Sequence, residues 1–224
     1  MTPKTPMTVG YERDQPQPRA RRVNPMRYPV NIAIGDTNSN PTGMGLLSLL
    51  AEDFRTHGRD LLSPGFWTLS VHRFGNWRMS IKDKLLRAPI TAVYRTAYQS
   101  VVALWGIDLP YNVKVGRRVR LGHHGCMVLG ASEIGDDVII QHSVTMGLSR
   151  RNDTELPKIG SRVEIGPGVC IAGGLRVGDG SYIGANTVVS RDVPANSVVL
   201  GIPMRFVNGA DLADVTSGTG RAPK

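Results

Sequence analysis

The sequence predicts a mainly β chain, a triangular parallel β-helix preceded by an α-helical region, and three observations carry that reading. Aliphatic residues recur every six positions from Ile159, at Ile165, Ile171, Val177, Ile183 and Val189. The fifth place of each hexad, Val163, Val169, Leu175, Ser181, Thr187 and Val193, is small or branched throughout. Aliphatic-glycine pairs such as Val115-Gly116, Ile134-Gly135 and Ile183-Gly184 extend the rhythm back towards residue 113. A step of six is neither a helical multiple nor a hairpin spacing. It supplies one short strand and one corner, with the aliphatic side chain pointing inward onto its copy one coil away. Glycine then relieves the crowded turn.

Composition sets the frame. The chain has 224 residues, 41% of them hydrophobic and 20% charged, enough to bury a core. Lys plus Arg number 27 against 18 Asp plus Glu, a net charge of +9 that invites a polyanionic partner. Aromatics at 6% argue against a base-stacking platform, so nucleic acid is not expected as that partner. Two cysteines, Cys126 and Cys170, do not make a disulfide scaffold, and no metal-ligand spacing appears. The polar start lacks the apolar core of a signal peptide, and no run reaches the roughly 18 apolar residues of a membrane span. The expected address is the cytoplasm, with the inner face of the membrane as a variant.

In chain order, residues 1–43 hold seven of the fifteen prolines and the cluster Arg19, Arg21 and Arg22. They read as a disordered or loosely docked basic tail. Residues 44–110 read as helical. Leu46, Leu47, Leu49, Leu50 and Phe54 sit at three-to-four spacing, with Gly58 as a stop. Ser63-Pro64 opens a second helix through Phe66, Trp67, Leu69 and Val71. A third runs from about Ile81 to Trp105, its apolar positions Leu85, Leu86, Ile90, Val93, Tyr94 and Tyr98, and Pro89 is expected to bend or break it. Six cations (Arg73, Arg78, Lys82, Lys84, Arg87 and Arg95) against Asp83 form a basic surface that reads as the wet face of packed helices or as a contact for an anionic membrane. The β-helix is expected over 111–206, followed by a tail at 207–224.

Two interruptions of the period locate the chemistry. One residue is inserted between Leu121 and Val128, around His123-His124-Gly125, and the segment Leu148 to Lys158, with Arg150-Arg151-Asn152-Asp153, must leave the coil as a loop. Loops leaving a solenoid usually line its binding face. His123 and His124 at the slip can face outward, and histidine suits the removal of a hydroxyl proton near neutral pH. Asp108, fifteen residues upstream, is the carboxylate placed to hold such an imidazole. From spacing alone, a lone structural histidine is the competing reading.

Gly106-Ile-Asp-Leu-Pro, Leu121-Gly-His-His-Gly, the stretch Ile134 to Gly147, Pro157-Lys-Ile-Gly and Gly201-Ile-Pro-Met-Arg resemble the serine acetyltransferase family of hexapeptide-repeat acyltransferases. The likeness runs over about residues 45 to 207. It implies a left-handed parallel β-helix, acetyl-CoA as co-substrate, and a homotrimer with active sites between subunits. The helical region is then a surface for pairing two trimers. The resemblance makes His123 the general base and Asp108 its partner in a direct transfer. His124 and His142 become candidates for acceptor contact. Gly147, Gly166 and Ala185 match positions along the pantetheine arm, and Arg191 and Arg205 are candidates for the phosphates. Cys126 and Cys170 are then packing residues rather than nucleophiles.

The acceptor is where the chain departs from the family. Glu155-Leu156-Pro157 replaces the usual Arg-His-Pro, and Gly122 replaces an aspartate. Losing those groups weakens the grip on a free amino acid, since a desolvated carboxylate needs a cation. The His-His-Gly slip also resembles relatives that acetylate sugars in exopolysaccharide assembly. A sugar hydroxyl, free or lipid-linked, is therefore the favoured expectation, L-serine the alternative, and a non-catalytic scaffold or surface-binding module the reading of another class.

Overall fold

A computed structural model describes residues 37–123, 125–149 and 155–207. Most of the two expected tails, His124 and the segment Arg150 to Asp153 lie outside those residues.

Three helices come first: α1 (Leu46–Thr56), α2 (Pro64–Trp77) and α3 (Lys84–Trp105). The Ser63 hydroxyl accepts from the Phe66 amide at 3.4 Å and Pro64 occupies the first turn, so the start of α2 is built as the sequence reads. α3 begins three residues later than expected because Asp83 caps it, accepting from the Leu85 amide at 2.8 Å. It ends on Gly106, whose φ of 65° only glycine adopts freely. Pro89 does not break α3. Its missing N–H releases only the carbonyl of Leu85, a residue 85% exposed, and water can satisfy it.

The rest is a left-handed parallel β-helix of three flat faces. One face stacks Ile107–Asp108, Met127–Leu129, Thr145–Gly147, Cys170–Ala172 and Val188–Val189. A second stacks Lys114–Val115, Glu133–Ile134, Lys158–Ile159 and Arg176–Val177. The third stacks Arg120–Leu121, Ile139–Ile140, Glu164–Ile165, Tyr182–Ile183 and Val198–Leu200, and closes with Arg205–Val207 laid antiparallel. The coil thus starts at Ile107, earlier than its period, because Ile107 and Asp108 pair with Met127 and Val128. Every hexad aliphatic from Ile159 to Val189 is buried, as are all six fifth-place residues. Each buried Val or Ile is worth roughly 1.5–3 kcal/mol, so one repeated choice stabilises every turn.

The period misplaces one strand. Val128 lies outward at 46% exposure, while Met127 and Leu129 on either side point in. The slip is therefore two residues wide before this strand, and one residue is recovered before Ile134.

The corner glycines answer to close approach rather than to φ. A Cβ on Gly116 falls 2.6 Å from the Gly135 carbonyl carbon, and one on Gly135 falls 2.6 Å from that of Gly160. The backbones of successive coils touch at this corner. Gly135→Ala is accordingly expected to destabilise the chain by about 1–3 kcal/mol, read as a lowered denaturant midpoint.

The helices cover the first coil. The terminal strand of the second face has no strand above it, and α2 supplies side-chain partners instead. Arg73 donates to the Val115 and Gly116 carbonyls at 2.8 and 2.6 Å, His72 Nε2 to Val113 at 2.9 Å, and Asn76 to Tyr111 at 2.8 Å. Burial drives the His72 pKa down to about 3, so it serves as a neutral donor. Arg73 also pairs with Asp53 of α1 at 3.0 Å, both residues wholly buried. Gly65 permits this docking, since a Cβ there falls 2.5 Å from the Leu121 carbonyl oxygen.

These contacts correct the expected basic surface. Arg73 is interior, and Arg78 is buried with its guanidinium 4.4 and 4.5 Å from the ring centres of Tyr94 and Tyr111. The expected core stripe of α3 holds at Tyr94 and fails over much of its length. Leu85, Leu86 and Val93 are exposed, and Tyr94 and Val101 are its buried positions. Among the described residues, no helix is long and apolar enough to cross a membrane.

Candidate active site

The register slip builds the site. Three residues there take positive φ, His123 at 57°, Gly125 at 112° and Cys126 at 53°. For the two non-glycines this costs about 1 kcal/mol each, as it does at corners such as Asp137 and Arg162. The turn throws the His123 side chain out of the packed coil, where it is exposed. Cys126 is exposed as well, so the expectation that it packs fails, while Cys170 is partly buried on the first face.

One corner of the triangle runs down the coil from this slip. The Ser143 amide donates to Gly125, the Gly168 amide to His142, and the Asn186 amide to Pro167. That stacking sets the His142 ring edge-on to the His123 ring, with centroids 5.6 Å apart. His142 Nδ1 is buried without a hydrogen-bond partner among the described residues. A buried polar atom left unsatisfied costs free energy, so this one stands ready for a ligand group. Below it on the same corner lie Gly166 and Ala185, close enough that a Cβ on Gly166 falls 2.8 Å from the Ala185 amide nitrogen. The structure thus brings His123, His142, Gly166 and Ala185, each named from the sequence, along one corner of the coil. Gly147 lies at the other end of the first face, with open space beside it among the described residues. Arg191 rests over Phe206, 5.2 Å from its ring centre, and Arg205 is exposed on the same closing strand.

Asp108 stands on the first strand of the coil, beside Val128. Among the described residues no hydrogen bond joins it to His123. Its Oδ1 accepts from the Tyr98 hydroxyl of α3, a short contact. Burial, and then the carboxylate itself, hold the Tyr98 phenol well above its ordinary pKa, so it stays a donor. Tyr98 stacks on Tyr94 at 5.8 Å, and Tyr94 meets Tyr111 edge-on at 5.7 Å. A carboxylate has acceptor sites on both oxygens, so Tyr98 fixes Asp108 and leaves Oδ2 for another donor. Sequence reasoning counted Tyr98 only as an apolar position. Its signal was the ten-residue offset to Asp108 across a helix terminus.

On the other side of the slip lies a cavity of about 390 Å³, walled by His57, Asp60, Ser63, Arg120, Gln141, Glu164 and His123 itself. None of the first six was anticipated. His57 is a fixed part of the wall. Its Nδ1 donates to the Asp53 carbonyl at 2.8 Å and its Nε2 accepts from the Leu121 amide at 3.2 Å, which defines the neutral tautomer. Burial pushes its pKa down, in keeping with that role. Gly122 also borders the cavity and contributes no charge. Glu155 and Leu156 are absent from this wall.

Comparison with known proteins agrees with the coil. Residues 157–191 match the family model for the bacterial transferase hexapeptide, six repeats. The chain is 36% identical over 146 residues to a serine acetyltransferase of Mycobacterium tuberculosis, which covers 64% of this chain and 61% of that protein. It is 34% identical over 149 residues to a serine acetyltransferase of Helicobacter pylori, covering 66% of this chain and 83% of that one. A solved serine acetyltransferase in complex with CoA superposes with a TM-score of 0.59 at 25% identity, over 72% of this chain and 69% of that one.

Proposed function

Because this chain belongs to the serine acetyltransferase family of hexapeptide-repeat acyltransferases, we propose that it moves an acetyl group from acetyl-CoA to the hydroxyl of L-serine. The observation that carries the reading is His123, thrown out of the coil by a strained slip at the mouth of a polar cavity. The relatives' names favour L-serine, the alternative in the sequence reading, over the sugar that it preferred.

The donor supplies an activated carbonyl carbon at the His123–His142 corner. Gly166 and Ala185 let its arm lie against the backbone there, and Arg191 and Arg205 meet its phosphates. Gly147 borders the arm from the far end of the first face. His123 takes the proton from the acceptor hydroxyl and holds it for the departing thiol, while Asp108 steadies the imidazolium. His142 offers Nδ1 to a group bound beside His123, and His124 is a further acceptor contact. No nucleophile on the protein is required. The active unit is a homotrimer with sites between neighbouring coils. The outward Val128 and Val188 of the first face, 46% and 38% exposed, support burial there.

The test is thiol release from acetyl-CoA with L-serine and a panel of neutral sugars. Turnover with serine supports the reading, and turnover confined to sugars restores the alternative. Acetyl-CoA at 100 times its Kd is expected to stabilise the protein by about 2.7 kcal/mol, visible as a raised Tm. Arg205→Ala is expected to shrink the shift given by CoA more than that given by a CoA analogue without the 3′-phosphate. Equal losses would take Arg205 off that phosphate.

A further inference from the structure

We propose that Arg120 and Glu164 are the specificity residues of the acceptor cavity, reading the carboxylate and the ammonium of a small hydroxylated zwitterion. The inference rests on the acceptor reading above and adds the residues that make it possible in this chain. Arg120 pairs in register with Ile139, and Ile139 with Glu164, so the two charges face outward in one row of the third face. Two strand spacings separate their backbones, roughly 9.6 Å, with apolar Ile139 between them. Both line the cavity that opens on His123. Among the described residues, neither side chain makes a hydrogen bond or an ion pair. Asp60, the third charged group of the wall, is engaged in its own turn, accepting from the Leu62 amide at 2.8 Å.

The gap between the two rows fits an amino acid better than a direct ion pair. The planar fork of Arg120 suits a carboxylate, which it can meet with two parallel N–H donors. Glu164 suits an ammonium, with Asp60 on the same wall. A neutral sugar filling the cavity would strip water from both charges and leave them unpaired, a cost that opposes it. The charges missing at Gly122 and Glu155 are thereby replaced from a different row of the coil, and the departure that suggested a sugar loses its force.

Steady-state kinetics at saturating acetyl-CoA test this. The acceptors are L-serine, ethanolamine, which lacks the carboxylate, and 3-hydroxypropionate, which lacks the ammonium. Arg120→Gln is expected to raise KM for serine about 10- to 100-fold, the loss of a hydrogen-bonded charge contact, with kcat within about threefold. Its KM for ethanolamine is expected to stay unchanged. Glu164→Gln is expected to raise KM for serine likewise and to spare 3-hydroxypropionate. An unchanged KM for acetyl-CoA reports an intact fold. Arg120→Lys keeps the charge without the fork and is expected to raise the serine KM by about 3- to 10-fold, so the test survives if Arg120→Gln does not fold. A wild type that acetylates sugars and not serine overturns the acceptor reading and this inference together. A wild type that acetylates serine, with serine-to-ethanolamine ratios unchanged in the Arg120 variants, overturns this inference alone.

Discussion

His123→Ala is expected to lower kcat on the order of 10³-fold while leaving the fold and the CoA-induced rise in Tm in place. The fold survives because the His123 side chain is exposed, and the ring it faces is that of His142 rather than an aliphatic of the core. Alanine and histidine carry the same Cβ, so the left-handed φ of 57° is no harder for the variant to adopt. What disappears is the only imidazole that projects from the slip into the mouth of the cavity among the described residues. Asp108→Asn is expected to cost less, about 10- to 100-fold. Its amide oxygen can still accept from the Tyr98 hydroxyl, so the geometry persists and the loss reports the charge. Wild-type turnover in His123→Ala would end the assignment of the base.

The largest expected loss of stability comes from Arg73→Met, at about 3–5 kcal/mol, enough to unfold a marginal domain. The substitution leaves the Asp53 carboxylate wholly buried with no cation, and Asp53 Oδ1 already lacks a partner among the described residues. It also withdraws donors from the Val115 and Gly116 carbonyls. In the native protein burial raises the Asp53 pKa, and Arg73 opposes the rise. Without Arg73 the folded pKa climbs further above the unfolded one, so the folded state binds the proton more tightly. Stability of the variant is then greatest below the unfolded pKa and falls as pH rises through the window up to the folded pKa. Urea midpoints across pH are expected to show the deficit shrinking on acidification. Replacing Asp53 by Asn together with Arg73→Met is expected to recover part of the loss, and a deficit independent of pH would locate the effect elsewhere.

The coil was legible because stacking asks the same question at the same place in every turn. Ile159 to Val189 all answer with an aliphatic, and a period of six survives any local noise. The slip was legible as a break in that period, which is how His123 stood out. Its width was not, since Val128 is as aliphatic as the residues that point inward. The α2 cap left no periodic trace. His72, Arg73 and Asn76 bind carbonyls 35 to 43 positions away, and a lone arginine reads as surface until its partners are seen. Tyr98 hid for the converse reason, an apolar ring at helical spacing whose hydroxyl does the work. Arg120 and Glu164 belong to different hexads, and only the register of the third face puts them in one row.

A coil that repeats every turn is also a template for one more turn, and nothing in the repeat itself says where to stop. Here one face at each end is refused to a newcomer. At the start, His72, Arg73 and Asn76 occupy the carbonyls that another strand would seek. At the finish, Arg205–Val207 runs against the grain of Val198–Leu200 and offers a parallel strand the wrong pattern of donors. A strand added end to end is thereby opposed at the second face at one end and at the third face at the other.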